Sequence, residues 1–188
     1  MNNKEALKVI DEMIASAKAD INDNGFFYLL WGWLIIVACI SEYVLMYEIQ
    51  WEYHWIGWPI TTGVGGITAS VYGYRREKKA KVKTHFDRIM GYVWGGFGIT
   101  LFLVLFSMNQ NSPSGVYPLI IALYSMGTFI SGGILKFTPL KVGAIISWCI
   151  GLSAMFVDFK FQLLLLVISI IVAYLVPGYM LKHKYNNQ

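Results

Sequence analysis

One acidic residue, Glu42, lies inside a long apolar stretch of the sequence, four residues before Met46. Placing an ionisable group in an apolar environment is costly, so a residue at such a position is a candidate for function. A carboxylate there could bind a proton or a cation, with Ser41, Tyr43 or His54 nearby. The favoured interpretation is a carboxylate that reaches the outer lipid headgroups. The sequence leaves both interpretations open.

Few other side chains have a spacing that suits catalysis or metal binding. The histidines are His54, His85 and His183, and no two of them have the His-x-x-x-His spacing of zinc-binding helices. The sequence suggests no Ser–His–Asp set on one face. Glu48, Glu52 and His54 could hold a metal ion weakly, although a solvated loop of mixed charge is the favoured interpretation. We therefore expect no enzymatic activity, no cofactor and no metal site.

Small residues recur about four positions apart inside the apolar stretches. The glycines within 63–70 have the look of a dinucleotide-binding loop, but such a loop must follow a strand and open a soluble βαβ unit. Lipid tails are as apolar as leucine, so helices in a membrane associate through close contact over small residues. The residues predicted to pack helices together are Gly65, Gly66, Ala69, Gly91, Gly95, Gly127, Ser131, Gly143, Ser147 and Gly151.

The composition restricts the class of protein in which these residues can lie. The chain has 188 residues, of which 56% are hydrophobic and 14% are charged. Ordinary soluble domains carry about 25% charged residues, and a soluble domain of this length could not cover so much apolar surface. The composition therefore excludes a soluble enzyme domain, a disulfide-stapled secreted module and a disordered tail.

Six apolar runs are long enough to cross about 30 Å of hydrocarbon. Backbone polar groups in lipid must be bonded within their own segment, so each run is predicted to be a helix. The predicted fold class is all-α, a membrane protein with six transmembrane helices arranged as three hairpins. The predicted transmembrane domain covers 26–182, with spans at about 26–47, 55–74, 89–108, 116–135, 140–157 and 161–181, followed by a tail at 183–188.

The positive residues predict how the chain is threaded. If all six runs cross, fourteen of the fifteen Lys and Arg residues fall on one side and only Lys160 falls on the other. Because positively charged loops stay in the cytoplasm, both termini are predicted to be cytoplasmic, with the chain in a cell membrane. Trp51 and Trp55, in the first external loop, suit the headgroup layer.

The loop between the second and third runs concentrates this charge. Juxtamembrane Lys and Arg gain about 1 kcal/mol each near an anionic surface, so we expect the loop to contact anionic lipid. Nucleic acid is the less favoured partner, because no fold that reads a groove accompanies the charge. The residues expected to contact lipid are Arg75, Arg76, Lys78, Lys79, Lys81 and Lys83.

Residues 1–25 precede the first run and are predicted to form a cytoplasmic amphipathic helix. Their apolar side chains recur at steps of three and four and so share one helix face. These side chains are Leu7, Ile10, Ile14, Ala17 and Ile21. The segment has a net negative charge, so we expect it to pack over the cytoplasmic end of the bundle beside the basic loop at 75–88. A free or partner-binding helix is the alternative.

Pairs of an aromatic residue with Gly or Pro recur along the runs. They are Trp31-Gly32 and Trp94-Gly95 in odd runs, and Trp58-Pro59 and Tyr117-Pro118 at the start of even runs. With the stretch Pro118-Leu-Ile-Ile … Gly127-Thr-Phe-Ile-Ser-Gly-Gly-Ile-Leu-Lys136, this layout resembles the HdeD-like acid-resistance membrane proteins. Those are bacterial six-span chains built from three helical hairpins. The resemblance implies a bacterial inner-membrane location and a stress-related role.

Two functions are compatible with these features. The first is a non-enzymatic integral membrane protein, stress-related or accessory to a partner, that works through packing and contacts within the lipid bilayer. The second is a small transporter or channel assembled as a homo-oligomer, with Glu42 near the pathway. Replacing Glu42 by Gln should distinguish them, because only the transporter would lose activity.

Overall fold

The computed structural model describes residues 25–79, 85–108 and 115–187. These residues are helical almost throughout and contain no β-strand, which confirms the predicted all-α fold class. The predicted amphipathic helix before residue 25 lies outside the described residues, as do Lys81, Lys83 and the side chain of Lys79.

The first half of the described chain contains three α-helices. Helix α1 is Phe26–Tyr43 and continues through a π-helical turn, Val44–Glu48. A 3-10 turn, His54–Ile56, leads directly into helix α2, Gly57–Lys79. Helix α3 is His85–Met108. The predicted first and third runs thus fall on α1 and α3, while α2 extends five residues beyond the predicted end of the second run.

The second half of the described chain forms three helical segments. Helix α4 is Val116–Ile134 and helix α5 is Thr138–Ala154. The last segment is continuous and consists of α6, Phe159–Ile170, a π-helical turn, Ile171–Leu175, and α7, Val176–Asn186. A proline, Pro177, follows the π-helical turn inside this continuous segment, and a local π-helical adjustment is a known way for a helix to accommodate a proline that cannot donate a backbone hydrogen bond.

Within the described residues, four helical segments are long and apolar enough to cross a membrane, which is the pattern of a membrane protein. They are Phe26–Glu48, Arg88–Phe106, Val116–Ile134 and Phe159–Asn186. Helix α5 is apolar but has only 17 residues. Helix α2 is long enough, but it is rich in Gly and Thr and ends in the basic sequence Arg75–Lys79.

The helices pack around a core formed by α1, α4, α5 and α6. The most extensive contact is between α4 and α5, and α6 with its π-helical turn packs against α1 and α5. Helix α2 packs on α1 and helix α3 packs on α4, while no backbone contact joins the described parts of α2 and α3. Only 6% of the most apolar stretch of α3 is buried, against 61% of the corresponding stretch of α4. Helices α2 and α3 are therefore peripheral.

Gly143 allows the backbone of α5 to touch the π-helical turn. A Cβ atom at Gly143 would lie 2.6 Å from the carbonyl oxygen of Val172 and 3.2 Å from the Cα of Ala173. A Cβ atom at Gly151, two turns further along α5, would lie 3.0 Å from a methyl carbon of Ile121 on α4. Helix α5 thus packs closely against both of its neighbours because these two residues have no side chain.

Three serines form a hydrogen-bonded line through the middle of the bundle. Ser125 on α4 donates to Ser147 on α5 over 2.6 Å, and Ser147 is hydrogen-bonded to Ser169 on α6. All three side chains are fully buried. Hydrogen bonds between helices suit a bundle in lipid, where unpaired hydroxyl groups have no water to bond.

Other residues predicted to pack helices also lie at contacts. A Cβ atom at Gly65 on α2 would lie 2.7 Å from Leu34 on α1, so this glycine permits close approach of the two helices. A Cβ atom at Gly127 would lie 3.5 Å from the ring of Trp94, an ordinary van der Waals distance. Ser131 is fully buried.

The remaining predicted packing residues have a different environment. A Cβ atom at Gly66, Gly91 or Gly95 would meet no atom within 4 Å in the described part of the chain. Ala69 is half-buried. The small residues of α3 therefore make no close helix contact within one copy of the described chain.

Candidate functional site

Glu42 is buried near the end of α1, where three side chains from other elements meet it. Only 4% of the residue is exposed. The indole N–H of Trp58 donates to its Oε2 over 2.7 Å, and the hydroxyl of Tyr117 donates to the same oxygen over 2.5 Å. The Nδ1 atom of His54 lies 3.5 Å from the other oxygen, Oε1. We call these four residues the Glu42 cluster.

The two carboxylate oxygens have different environments. Oε2 accepts two short hydrogen bonds from neutral aromatic donors, which fix the plane of the carboxylate. Oε1 faces His54, whose Nδ1 atom is buried and has no hydrogen-bond partner among the described residues. Oε1 is therefore the oxygen that the two aromatic donors leave available.

Close contact between α1 and the start of α2 brings Trp58 to Glu42. Gly57, the first residue of α2, lies directly against the hydroxyl of Ser41, where a Cβ atom would collide. The Ser41 hydroxyl donates to the carbonyl of Ala38 within α1 over 2.8 Å. Because Gly57 has no side chain, the next residue, Trp58, reaches the carboxylate.

Local backbone geometry places the other two members of the cluster. The amide of Trp51 donates to the carbonyl of Leu45 over 2.8 Å, and Gln50 adopts a positive φ of 56°. This tight turn leads the chain back so that the 3-10 turn carries His54 over the end of α1. Gly115, with φ of 110°, precedes α4 and lets Tyr117 lie in its first turn.

The cluster stabilises a negative charge on the carboxylate. Two donors bond Oε2, and a positive charge on His54, where that ring is protonated, would lie beside Oε1. The His54 side chain is 28% exposed, against 5% for Glu42, so His54 provides the contact with solvent.

A second group of side chains lies close to the cluster at the same end of the bundle. The Lys160 ammonium, at the start of α6, lies 5.4 Å from the ring centre of Tyr43 and 5.1 Å from that of Tyr47. These cation–π contacts hold a positive charge beside the final turns of the α1 segment. The charged and titratable groups around Glu42 thus include His54, Tyr117, Cys39 and Tyr47 and, further away, Lys160.

The sequence identified part of this site. Of the three neighbours expected for Glu42, His54 reaches the carboxylate, Ser41 bonds its own helix and Tyr43 faces Lys160. Sequence reasoning missed Trp58 and Tyr117 as donors. Both belong to the aromatic–Pro pairs that open the second and fourth runs. That signal indicates two aromatic donors at the starts of two helices, and the structure has both at the end of the bundle where Glu42 lies.

The basic residues at the end of α2 lie at the opposite end of the helix from Trp58. Arg75 and Lys78 are exposed and Arg76 is half-buried. The Lys78 ammonium lies 4.8 Å from the ring centre of Tyr74. The charged end of α2 therefore takes no part in the Glu42 cluster.

Helix α4 carries a buried polar face inward from Tyr117. Tyr124, Ser125, Thr128 and Ser131 are all buried on this face. The ring of Tyr124 also lies against those of Phe97 on α3 and Tyr174 in the π-helical turn. The centre of the bundle is therefore lined by hydroxyl groups and aromatic rings.

The fold and the site together describe a helical membrane protein with a buried carboxylate near one end of its bundle. No family model matches the chain, and neither a curated protein nor a solved structure matches it. The resemblance to the HdeD-like family stays a prediction.

Proposed function

We propose that this chain is a non-enzymatic integral membrane protein that binds a proton at Glu42, on the external side of the membrane. The observation that carries the proposal is the environment of Glu42: a buried carboxylate with two donors on one oxygen and an imidazole beside the other. Ionisable groups inside membrane segments are costly and are typically functional.

The proposal includes six membrane-crossing helices with both chain ends in the cytoplasm. Helix α2 has 23 residues, a length of about 34 Å at 1.5 Å per residue, and packs along α1. Helix α5 has 17 residues, about 26 Å, and packs between α4 and α6. Because each lies alongside helices that are long and apolar enough to cross, we infer that α2 and α5 occupy the same depth.

Proton binding gives this protein a means of responding to conditions outside the cell. The cluster joins the end of α1 to the starts of α2 and α4, and the half-exposed His54 connects Glu42 to solvent. Protonation removes the negative charge that Trp58 and Tyr117 stabilise, which weakens their hydrogen bonds. The helix ends would then separate more easily. Such a change suits a stress-related or accessory protein that signals to a partner through packing.

A small transporter assembled from several copies is the second candidate. The observation that favours it is the buried polar face of α4, which continues inward from Tyr117 through Tyr124 and Thr128. In a transporter, Glu42 would deliver its proton or cation along this face. Flux into liposomes containing the protein would then be lost in Glu42→Gln, whereas a non-transporting protein gives no flux in either form.

Infrared difference spectroscopy of the purified full chain tests proton binding directly. On acidification, the wild-type protein should show a new carboxyl C=O band that Glu42→Gln lacks. Glu52→Gln is the matched control, since Glu52 is an exposed acid in the segment before α2, and it should keep the band. An identical difference spectrum in the wild type and Glu42→Gln would show that Glu42 does not titrate and would overturn the proposal.

A further inference from the structure

The Nδ1 atom of His54 has no hydrogen-bond partner among the described residues, although it is buried and faces a carboxylate oxygen. In the tautomer whose proton is on Nε2, Nδ1 carries a lone pair, and a buried acceptor that nothing binds is costly. We propose that His54 Nδ1 and Glu42 Oε1 together bind a divalent transition-metal ion of the zinc class at the outer end of the bundle.

The distance between the two atoms suits such an ion. Zinc lies about 2.0–2.1 Å from imidazole nitrogen and about 2.0–2.2 Å from carboxylate oxygen. With Nδ1 and Oε1 3.5 Å apart, a metal at those bond lengths would be bound at an angle of about 115°, close to tetrahedral. The separation of Nδ1 and Oε1 is thus compatible with one ion bound to both atoms.

The other members of the cluster already orient the carboxylate for this role. Trp58 and Tyr117 both donate to Oε2, so they leave the lone pairs of Oε1 available. Hydrogen bonds from outer groups to a metal-binding carboxylate fix its orientation and strengthen binding. The arrangement has one oxygen held by donors and the other facing an unpaired imidazole nitrogen.

The ligands also select the type of metal. Imidazole nitrogen with one carboxylate suits zinc and its neighbours, whereas Mg²⁺ and Ca²⁺ prefer six or more oxygen ligands. No group of three or more His, Cys, Asp or Glu residues that could together hold a metal ion occurs in the described part of the chain. Two protein ligands leave the other positions to water, which would enter past the His54 side chain, 28% of which is exposed.

The metal and the proton compete for the same oxygen of Glu42. Metal binding requires a deprotonated carboxylate and a neutral imidazole, so it releases protons. A bound ion would also join the 3-10 turn to α1 and hold the cluster in its charged form. The inference that the metal regulates the proton site rests on the proposed function. Metal binding itself is measured separately.

The test uses the purified full chain, stripped of metal with a chelator and titrated with Zn²⁺, with Mg²⁺ as the reference ion. His54→Ala and Glu42→Gln should each weaken zinc binding by at least about tenfold. His183→Ala and Glu52→Gln are the matched controls, because His183 and Glu52 are exposed residues outside the cluster. They should change zinc affinity less than about twofold.

Two further measurements keep the result clear if Glu42→Gln does not fold. Trp58→Phe keeps both ligands and removes one orienting donor, so its zinc affinity should fall between the wild type and His54→Ala. X-ray absorption at the zinc edge should show one imidazole among otherwise oxygen ligands. Zinc binding that is unchanged in His54→Ala, or a metal without imidazole, overturns the inference.

The outcomes of this test differ from those of the proton experiment. Zinc binding at His54 in a protein whose Glu42 does not titrate would support the metal site and contradict the proposed function. Titration of Glu42 without zinc binding would support the proposed function and contradict the metal site.

Discussion

Tyr117 donates a 2.5 Å hydrogen bond to Glu42, across 75 positions of the sequence, and so joins the first turn of α4 to the end of α1. No backbone contact links α1 to α4 in the described chain. The two helices are connected at this end through the side chains of these residues. Glu42 therefore has a structural effect as well as the chemical role proposed for it.

Tyr117→Phe should destabilise the protein because it removes this bond and leaves Glu42 with one donor on Oε2. A hydrogen bond to a charged group contributes about 1.5–3 kcal/mol, so we expect a loss of that size in the free energy of unfolding. Unfolding of the purified protein in mixed micelles, followed by circular dichroism, measures it. Tyr53→Phe is the control, since Tyr53 is exposed, and should change stability by less than about 0.5 kcal/mol.

Ser147→Ala should weaken the contact between α4, α5 and α6. The substitution removes the middle hydroxyl of the serine line and leaves Ser125 and Ser169 without that partner. Hydrogen bonds between membrane helices average about 0.6 kcal/mol, with a maximum of about 1.7 kcal/mol, so a loss in this range is expected in the same unfolding assay. Ser153→Ala serves as the control, since Ser153 is exposed and its hydroxyl donates to the carbonyl of Ile150 in its own helix. Equal stability of both variants would contradict the prediction.

Gly143→Ala should lower the stability of the protein, whereas Gly95→Ala should not. A Cβ atom at Gly143 would press on the carbonyl of Val172, so the first substitution should cost about 1–3 kcal/mol through overpacking. A Cβ atom at Gly95 meets nothing within 4 Å among the described residues. There alanine is the better helix former and should leave stability unchanged or raise it by up to about 1 kcal/mol. Thermal unfolding in detergent checks both, and a clear loss of stability in Gly95→Ala would argue that α3 packs on another chain.

Reporter fusions test the proposed threading of the chain. If all six helices cross, fusions at residues 50, 112 and 159 should report an external location, and fusions at 80, 138 and 188 a cytoplasmic one. The physical reason is that Lys and Arg stay on the cytoplasmic side. A reproducible reversal at one of these positions would remove a crossing helix and contradict the six-span proposal. Alkaline phosphatase and a fluorescent protein, which are active on opposite sides, give matched readouts.

The sequence by itself determined that the chain is helical and where its apolar segments lie. The predicted runs beginning at 26 and 116 begin where α1 and α4 begin. The helix ends agree less well, since α2 continues to Lys79 and the last segment to Asn186. Hydrophobicity marks the part of a helix that avoids water, but Lys, Arg and Glu are good helix formers and extend a helix beyond it.

Only the tertiary structure decided which polar side chains meet. The sequence suggested Glu42 as a site, but local patterns cannot show that Trp58 and Tyr117 converge on the same carboxylate oxygen. It also predicted packing at Gly91 and Gly143 alike, although only Gly143 touches a neighbouring backbone. Periodicity and spacing reveal which residues share a helix face, whereas the choice of neighbouring helix depends on packing between segments far apart in the chain. This packing places Glu42 beside His54 and leaves the glycines of α3 without a close neighbour in the described chain.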